Sequence, residues 1–189
     1  MAKGLYSFPT LFTFFLVLIL GCNQSKTKEL PVEEKENTLN HSSLEYIYEL
    51  ASKKNLTCLN LTDSILRITS DQNMRAEAYY IKGLYYSNIN DKSQAEKFFD
   101  STILENYTFY DAYIEKGIIL NQKGDFEGSL QSLQIALEIT KNNPDLYYWM
   151  GKSFEGLNRK KEARNYYEMT LKIDPTYQSA EESLKRTKQ

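Results

Sequence analysis

Histidine occurs once and cysteine twice in this 189-residue chain, and that scarcity removes most of the chemistry a catalytic site needs. A nucleophilic triad requires a base beside a serine or cysteine, and the single base, His41, stands in a polar stretch near the amino end. No Cys/His cluster has the spacing of a metal site. No glycine-rich phosphate loop is present. Carboxylates are plentiful, but runs such as Glu33-Glu34-Lys35-Glu36 read as solvated charge. The inventory therefore points away from an enzyme, and from any cofactor or metal. The net charge is near −2 and the basic residues are scattered, so the chain lacks the footprint of a nucleic-acid binder. Proline (4) and glycine (8) are also scarce, whereas tyrosine (15) and phenylalanine (9) are abundant, a balance that suits helices packed through aromatic side chains.

Three of the few glycines are evenly placed. Gly83, Gly117 and Gly151 are separated by 117 − 83 = 34 and 151 − 117 = 34 residues. Each has a tyrosine four residues earlier (Tyr79, Tyr113, Tyr147) and a bulky apolar residue three later (Tyr86, Leu120, Phe154). Twelve residues on comes Ala95, Ser129 or Ala163, and sixteen on comes Phe99, Leu133 or Tyr167. A whole register repeated at fixed period means a repeat architecture.

The register resembles the tetratricopeptide repeat, a helix–turn–helix unit of 34 residues. Its first-helix pattern, Trp-x-x-Leu-Gly-x-x-Tyr, is answered by Tyr79-x-x-Lys82-Gly83-x-x-Tyr86, by Tyr113-x-x-Lys116-Gly117-x-x-Leu120 and by Tyr147-x-x-Met150-Gly151-x-x-Phe154. The aromatic and the glycine hold, while the Leu position is lysine twice. The resemblance implies an all-α fold, a right-handed superhelical stack of antiparallel helix pairs, with three units at 76–109, 110–143 and 144–177. Turns are expected at Asn90-Asp91, Gly124-Asp125 and Asn158. Residues 42–75 read as a degenerate N-terminal pair without the glycine. Aligning Cys58 with Ala95 leaves three extra residues in the link at 71–75. Residues 178–189 read as the polar helix that caps such a stack. The glycine is expected to let the two helices of a unit approach. The small residue at 95, 129 or 163 would receive the bulky side chain of the first helix, and Phe99, Leu133 and Tyr167 would fill the space between units.

The amino-terminal segment has a separate logic. Lys3 precedes an apolar run from Phe8 to Leu20, about the length of a signal core and short for a membrane span. It ends Leu18-Ile19-Leu20-Gly21-Cys22, which resembles the bacterial lipobox. That resemblance implies cleavage after Gly21, residues 1–21 being the signal, and lipidation of Cys22. The competing reading is an uncleaved hydrophobic anchor that ends in cysteine. The lipobox uses up one cysteine, leaving Cys58 as a small buried hydrophobe and no disulfide. Residues 22–41 read as a tether. Both readings hold the rest of the chain outside the cytoplasm; the lipobox implies the bacterial cell envelope, with the outer membrane preferred to the inner. The sequons at Asn55, Asn60 and Asn106 would matter only in a eukaryotic secretory pathway.

Function then falls to surfaces. In this family the first helices line a groove. Carried over unit by unit, the groove positions are Glu77, Tyr80, Ile81, Leu84 and Asn88; Asp111, Ile114, Glu115, Ile118 and Gln122; Asp145, Tyr148, Trp149, Lys152 and Glu155. Tyr80, Tyr148 and Trp149 are either interface anchors or half-buried scaffold aromatics. Family members that capture chaperone C-terminal carboxylates use Lys, Asn and Arg at positions held here by Tyr80, Leu84, Glu115, Asp145 and Trp149, so that mode is excluded. A protein or peptide partner with basic and apolar residues fits better. The expected role is a membrane-anchored protein-interaction scaffold. The narrower alternatives are a pilotin-like assembly factor for a secretion system or pilus, or an adaptor of an envelope protease or cell-wall enzyme.

Overall fold

The computed structural model describes residues 41–187, with side chains from Ser43 onward. The signal, Cys22 and nearly all of the tether lie outside the described residues. Within them the chain forms helices and no strand: α1 (His41–Ser52), α2 (Thr57–Ile68), α3 (Gln72–Asn88), α4 (Lys92–Glu105), α5 (Tyr110–Lys123), α6 (Phe126–Ile139), α7 (Pro144–Gly156), α8 (Lys160–Ile173) and α9 (Gln178–Thr187). Consecutive helices pack as pairs, and the pairs stack as a solenoid.

The turn inside each pair is the same device four times. After α3, the Asp91 N–H reaches the Tyr86 carbonyl (2.9 Å) and the Asn90 N–H reaches Ser87 (2.9 Å). The bonds Asp125 to Leu120 (3.0 Å) and Gly124 to Asn121 (3.0 Å) repeat it, as do Arg159 to Phe154 (2.8 Å) and Asn158 to Glu155 (2.9 Å). This double bond needs a left-handed residue. Asn90 (φ 64°), Gly124 (φ 84°) and Asn158 (φ 60°) supply it. Asparagine and glycine are the types that accept this conformation at least cost. The degenerate first pair has the same closure, with Asn55 bonded to Leu50 (2.9 Å) and Lys54 to Ala51 (3.0 Å), Lys54 standing at φ 57°. Counting back seven residues from each left-handed position gives Gly83, Gly117 and Gly151, but Ile47 in the first pair.

Helix starts follow from short acids and amides. Asp71, Asp91, Asp125 and Asn143 accept from the N–H three residues on, at 2.7, 3.1, 2.9 and 3.3 Å. The cap at Asp71 corrects one expectation. Gln72–Arg75 are the first turn of α3 and not extra residues in a link, because Asp71 starts the helix there.

The glycines are fixed by what faces them. A Cβ built on Gly83 would lie 2.4 Å from the Phe99 ring, one on Gly117 2.7 Å from Leu133, and one on Gly151 2.6 Å from the Tyr167 ring. Phe99, Leu133 and Tyr167 are each fully buried. Each seals its own pair against the glycine. Phe99 also packs with Ala112 and Ile119 of the following unit, so it fills the space between units as well. The first-helix aromatics also meet rings that the sequence reading did not name. Tyr79 and Tyr86 stack on Phe98 (centroids 6.4 and 5.3 Å), and Tyr147 and Phe154 stack on Tyr166 (6.4 and 5.1 Å). Their flat partners are the rings at 98 and 166, which match them in area, and Tyr86 also packs against the cluster that holds Ala95.

Lysine at the expected leucine position also has a reason. The Lys82 ammonium reaches back to Asp63 on α2 (2.5 Å) and Lys116 reaches back to Asp100 on α4 (2.6 Å). Each long stem lies along the interior and its charge ends on the preceding unit. Units two and three are joined by a buried relay instead: Asn121 donates to Ser153 (2.9 Å), and Ser129 donates to the Gly117 carbonyl (2.7 Å), with the two hydroxyls 2.8 Å apart.

Replacing Gly151 by alanine drives a methyl into the Tyr167 ring. We expect a loss of about 1–3 kcal/mol, read as a lower urea midpoint with unchanged slope. An unaltered midpoint would mean that the ring yields freely and that the close approach is not required.

Candidate functional site

The first helices of the units, α1, α3, α5 and α7, form one face, with α1 against α3 and α5 against α7. Two open clefts lie on it. One of about 530 Å³ is lined by Leu44, Glu45, Tyr48 and Glu77, between α1 and α3. The other, of about 290 Å³, is lined by Asn73, Glu77 and Asp111 together with Asn106, Thr108, Phe109 and Tyr110. Glu77 is common to both.

Four carboxylates mark the face: Glu77 on α3, Asp111 and Glu115 on α5, and Asp145 on α7. None of them enters an ion pair within the described residues. Glu77 accepts a hydrogen bond from the Tyr48 hydroxyl, and Asp145 accepts one from Tyr177 (2.7 Å). Glu115 is half-buried, and burial pushes its carboxyl up to about 7, helped by the charges of Asp111 and Asp145. Asp111 is raised as well, by burial first and then by the charges of Glu77 and Asp145. The Tyr80 hydroxyl is also raised, by burial and then by Glu115 and Asp111. These groups share one electrostatic environment, and it is negative.

Rings flank the acids at both ends. Tyr80 meets Phe109 (centroids 4.9 Å), Phe99 (5.8 Å) and Tyr48 (6.2 Å). Two units on, Tyr148 meets Tyr177 (5.0 Å), Trp149 (5.6 Å) and Tyr167 (5.8 Å). Phe109 and Tyr177 hold their places through matching turns, in which Asn106 and Asp174 each accept from the N–H two residues on (2.9 Å in both).

Several expected groove residues stand elsewhere. Ile81 is fully buried and Ile114 is 4% exposed, so both belong to the core; their side chains point between the helices of the stack, and they cannot touch a partner. Leu84, Ile118 and Trp149 are half-buried against that core, offering an edge rather than a whole side chain. Asn88 is exposed, but its amide donates to the Ala51 carbonyl (3.3 Å), tying α3 to α1. Glu155 is already satisfied. It accepts from Arg186 of α9 (2.9 and 3.0 Å) and from Tyr167 (2.7 Å). Burial opposes its charge, but those bonds outweigh burial and hold the carboxyl below its usual range. Lys152 lies 4.0 Å from it. The open part of the face is therefore Glu77, Tyr80, Asp111, Glu115, Asp145 and Tyr148. Sequence reasoning missed Tyr48, Phe109 and Tyr177. The last two could have been found from Asn106-Tyr-Thr-Phe109 and Asp174-Pro-Thr-Tyr177, the same short pattern two periods apart.

Comparison with known proteins agrees with this architecture. A family profile described as tetratricopeptide repeat matches residues 76–101 and 144–177, and one described as TPR repeat matches 117–158. A TPR repeat-containing protein of Methanocaldococcus jannaschii, MJ1428, is 24% identical over 159 residues, covering 81% of this chain but 27% of that protein. Among solved structures, MamA superposes with a TM-score of 0.65 at 19% identity, covering 79% of this chain and 83% of MamA. The first TPR of Spaghetti (RPAP3), bound to the HSP90 peptide SRMEEVD, superposes at 0.59 with 16% identity, covering 64% of this chain and 96% of that domain.

A carboxyl with a raised pKa holds its proton more tightly in the folded chain than in the unfolded one. Its contribution is therefore favourable at low pH and is lost as pH rises from about 4.5 through about 7. Glu115→Gln should then stabilise the protein at pH 8, by on the order of 1–2 kcal/mol, or about 3 °C of melting temperature per kcal/mol. At pH 4.5 the difference should vanish. Equal shifts at both pH values would refute the unpaired, half-buried carboxylate.

Proposed function

The chain carries tetratricopeptide repeats, and from that premise we propose that it is a non-catalytic scaffold that binds an extended partner segment along the face of its first helices. The partner presents a lysine or arginine beside apolar or aromatic side chains. What supports this most directly is the set of four carboxylates without an ion-pair partner among the described residues, enclosed by aromatic side chains at either end. A cation placed there would restore Glu115 to its charged form and face Asp111 and Asp145, and the rings would cover its stem. The HSP90 peptide bound by the Spaghetti domain, SRMEEVD, is mostly acidic at its end. The same peptide would meet repulsion on this face.

The second element of the proposal is a lipid anchor at Cys22. It rests on the sequence Leu18-Ile19-Leu20-Gly21-Cys22 and places the repeats at a membrane of the bacterial cell envelope, preferably the outer one. The narrower roles differ in their partner: a pore subunit for an assembly factor, or a protease or cell-wall hydrolase for an adaptor. Crosslinking from the face followed by identification of the captured protein separates them.

Two measurements test these claims. Binding is read from fluorescence of the single Trp149, beside the face, against peptides carrying Lys or Arg flanked by aromatic residues, against Glu-substituted versions and against SRMEEVD. Only the basic peptides should bind, about tenfold tighter at pH 8 than at pH 6, and Glu115→Gln should remove that pH dependence. Equal binding of the acidic peptides would overturn the assignment. For the anchor, Cys22→Ala should abolish incorporation of labelled fatty acid and leave the precursor uncleaved; normal processing of the variant would sink it.

A further inference from the structure

The two ends of the stack differ in character. At the carboxyl end, α9 buries Ala180, Ser183 and Thr187 against the repeats and turns Glu181, Glu182 and Lys185 to solvent. Its outward face is charged. The amino end has no such cover among the described residues. There α1 and α2 present an open hollow of about 390 Å³ lined chiefly by Tyr46, Ile47, Leu61, Ser64, Ile65 and Ile68. Ile47 and Ile65 form its floor, 4% and 2% exposed, while Tyr46 stands at its side, 55% exposed. An end repeat with an apolar outer face needs a cover.

We propose that this face is covered by a second copy of the same chain, the two stacks meeting α1–α2 against α1–α2 about a two-fold axis. Three observations select that occupant. A head-to-tail contact would press the apolar hollow onto the charged outer face of α9, so a second copy must approach amino end to amino end. An isologous interface also requires knob and hollow on one patch, because each surface meets itself. The protruding Tyr46 beside the hollow satisfies that requirement. Finally, both signs of charge lie in the same two helices. Glu45 on α1 and Arg67 on α2 are both exposed, and neither enters an ion pair among the described residues, where Arg67 donates to Ser64 (3.1 Å). A two-fold axis that lays α1 of one copy on α2 of the other brings these opposite charges together.

Helices of 12 residues are about 18 Å long, so the contact falls in the small class of interfaces. Glu77, Asp111, Glu115 and Asp145 lie on other helices and remain open, so the dimer carries two partner-binding faces.

Cysteine crosslinking of the full chain in membranes tests the proposal. Ser64→Cys should give a disulfide dimer under mild oxidation that the wild type, whose Cys58 is buried and whose Cys22 thiol carries the proposed lipid, does not give. Glu182→Cys on the outer face of α9 should give none. Adding Tyr46→Asp to Ser64→Cys should lower the dimer yield at least tenfold while circular dichroism stays unchanged. Should Tyr46→Asp disturb folding, Ile68→Gln serves the same purpose on the other side of the hollow. The idea is overturned if Ser64→Cys yields no dimer, if mixed Ser64→Cys and Glu182→Cys chains crosslink to each other in preference, or if a folded variant of the hollow leaves the yield unchanged.

Discussion

One contact repeats through this molecule and sets the rest: a large buried side chain laid on a glycine across each helix pair. Phe99 on Gly83, Leu133 on Gly117 and Tyr167 on Gly151 leave no room for a Cβ. The approach they permit brings the second helix close enough for Ser129 to bond the Gly117 carbonyl. Because the same register recurs, the pairs have similar geometry and can stack. Stacking is what buries the apolar stripe of each helix, since no pair could cover its own. The face formed by α1, α3, α5 and α7 is a by-product of that repetition.

The first pair shows how far the constraint can be relaxed. It has Ile47 where the others have glycine, and Thr62, fully buried, on its second helix. Yet its turn is closed by the same two backbone bonds. The turn survives without the glycine because its requirement is a left-handed residue, met by Lys54, rather than a close approach. The two ends of the stack also diverge for physical reasons. At the carboxyl end Arg186 closes on Glu155, which takes that carboxylate out of the open face. At the amino end no described residue covers the α1–α2 hollow.

The face of the first helices is a balance of opposed terms. Asp111, Glu115 and Asp145 repel one another, and burial raises the cost of each charge at Asp111 and Glu115. A protein under pressure for stability alone would have paired them, as it paired Lys82 with Asp63 and Lys116 with Asp100. Instead the cations sit between units and the acids face outward together. That separation gives the surface a negative sign.

The sequence by itself determined the period, the helix pairs, the turns at Asn90, Gly124 and Asn158, and the positions of the acids, because each depends on residues within one unit. Local hydrogen bonding and a fixed 34-residue register carry that information along the chain. It could not decide which positions on a first helix are open. Ile81 and Ile114 were expected on the face and lie in the core, whereas Tyr48, Phe109 and Tyr177 were not expected and frame it. Likewise Glu155 was expected to line the groove, and Arg186 of α9 closes on it. Those outcomes depend on how one unit is rotated against the next and on what closes each end. Such contacts join residues about 30 positions apart, and only the packed stack brings them together.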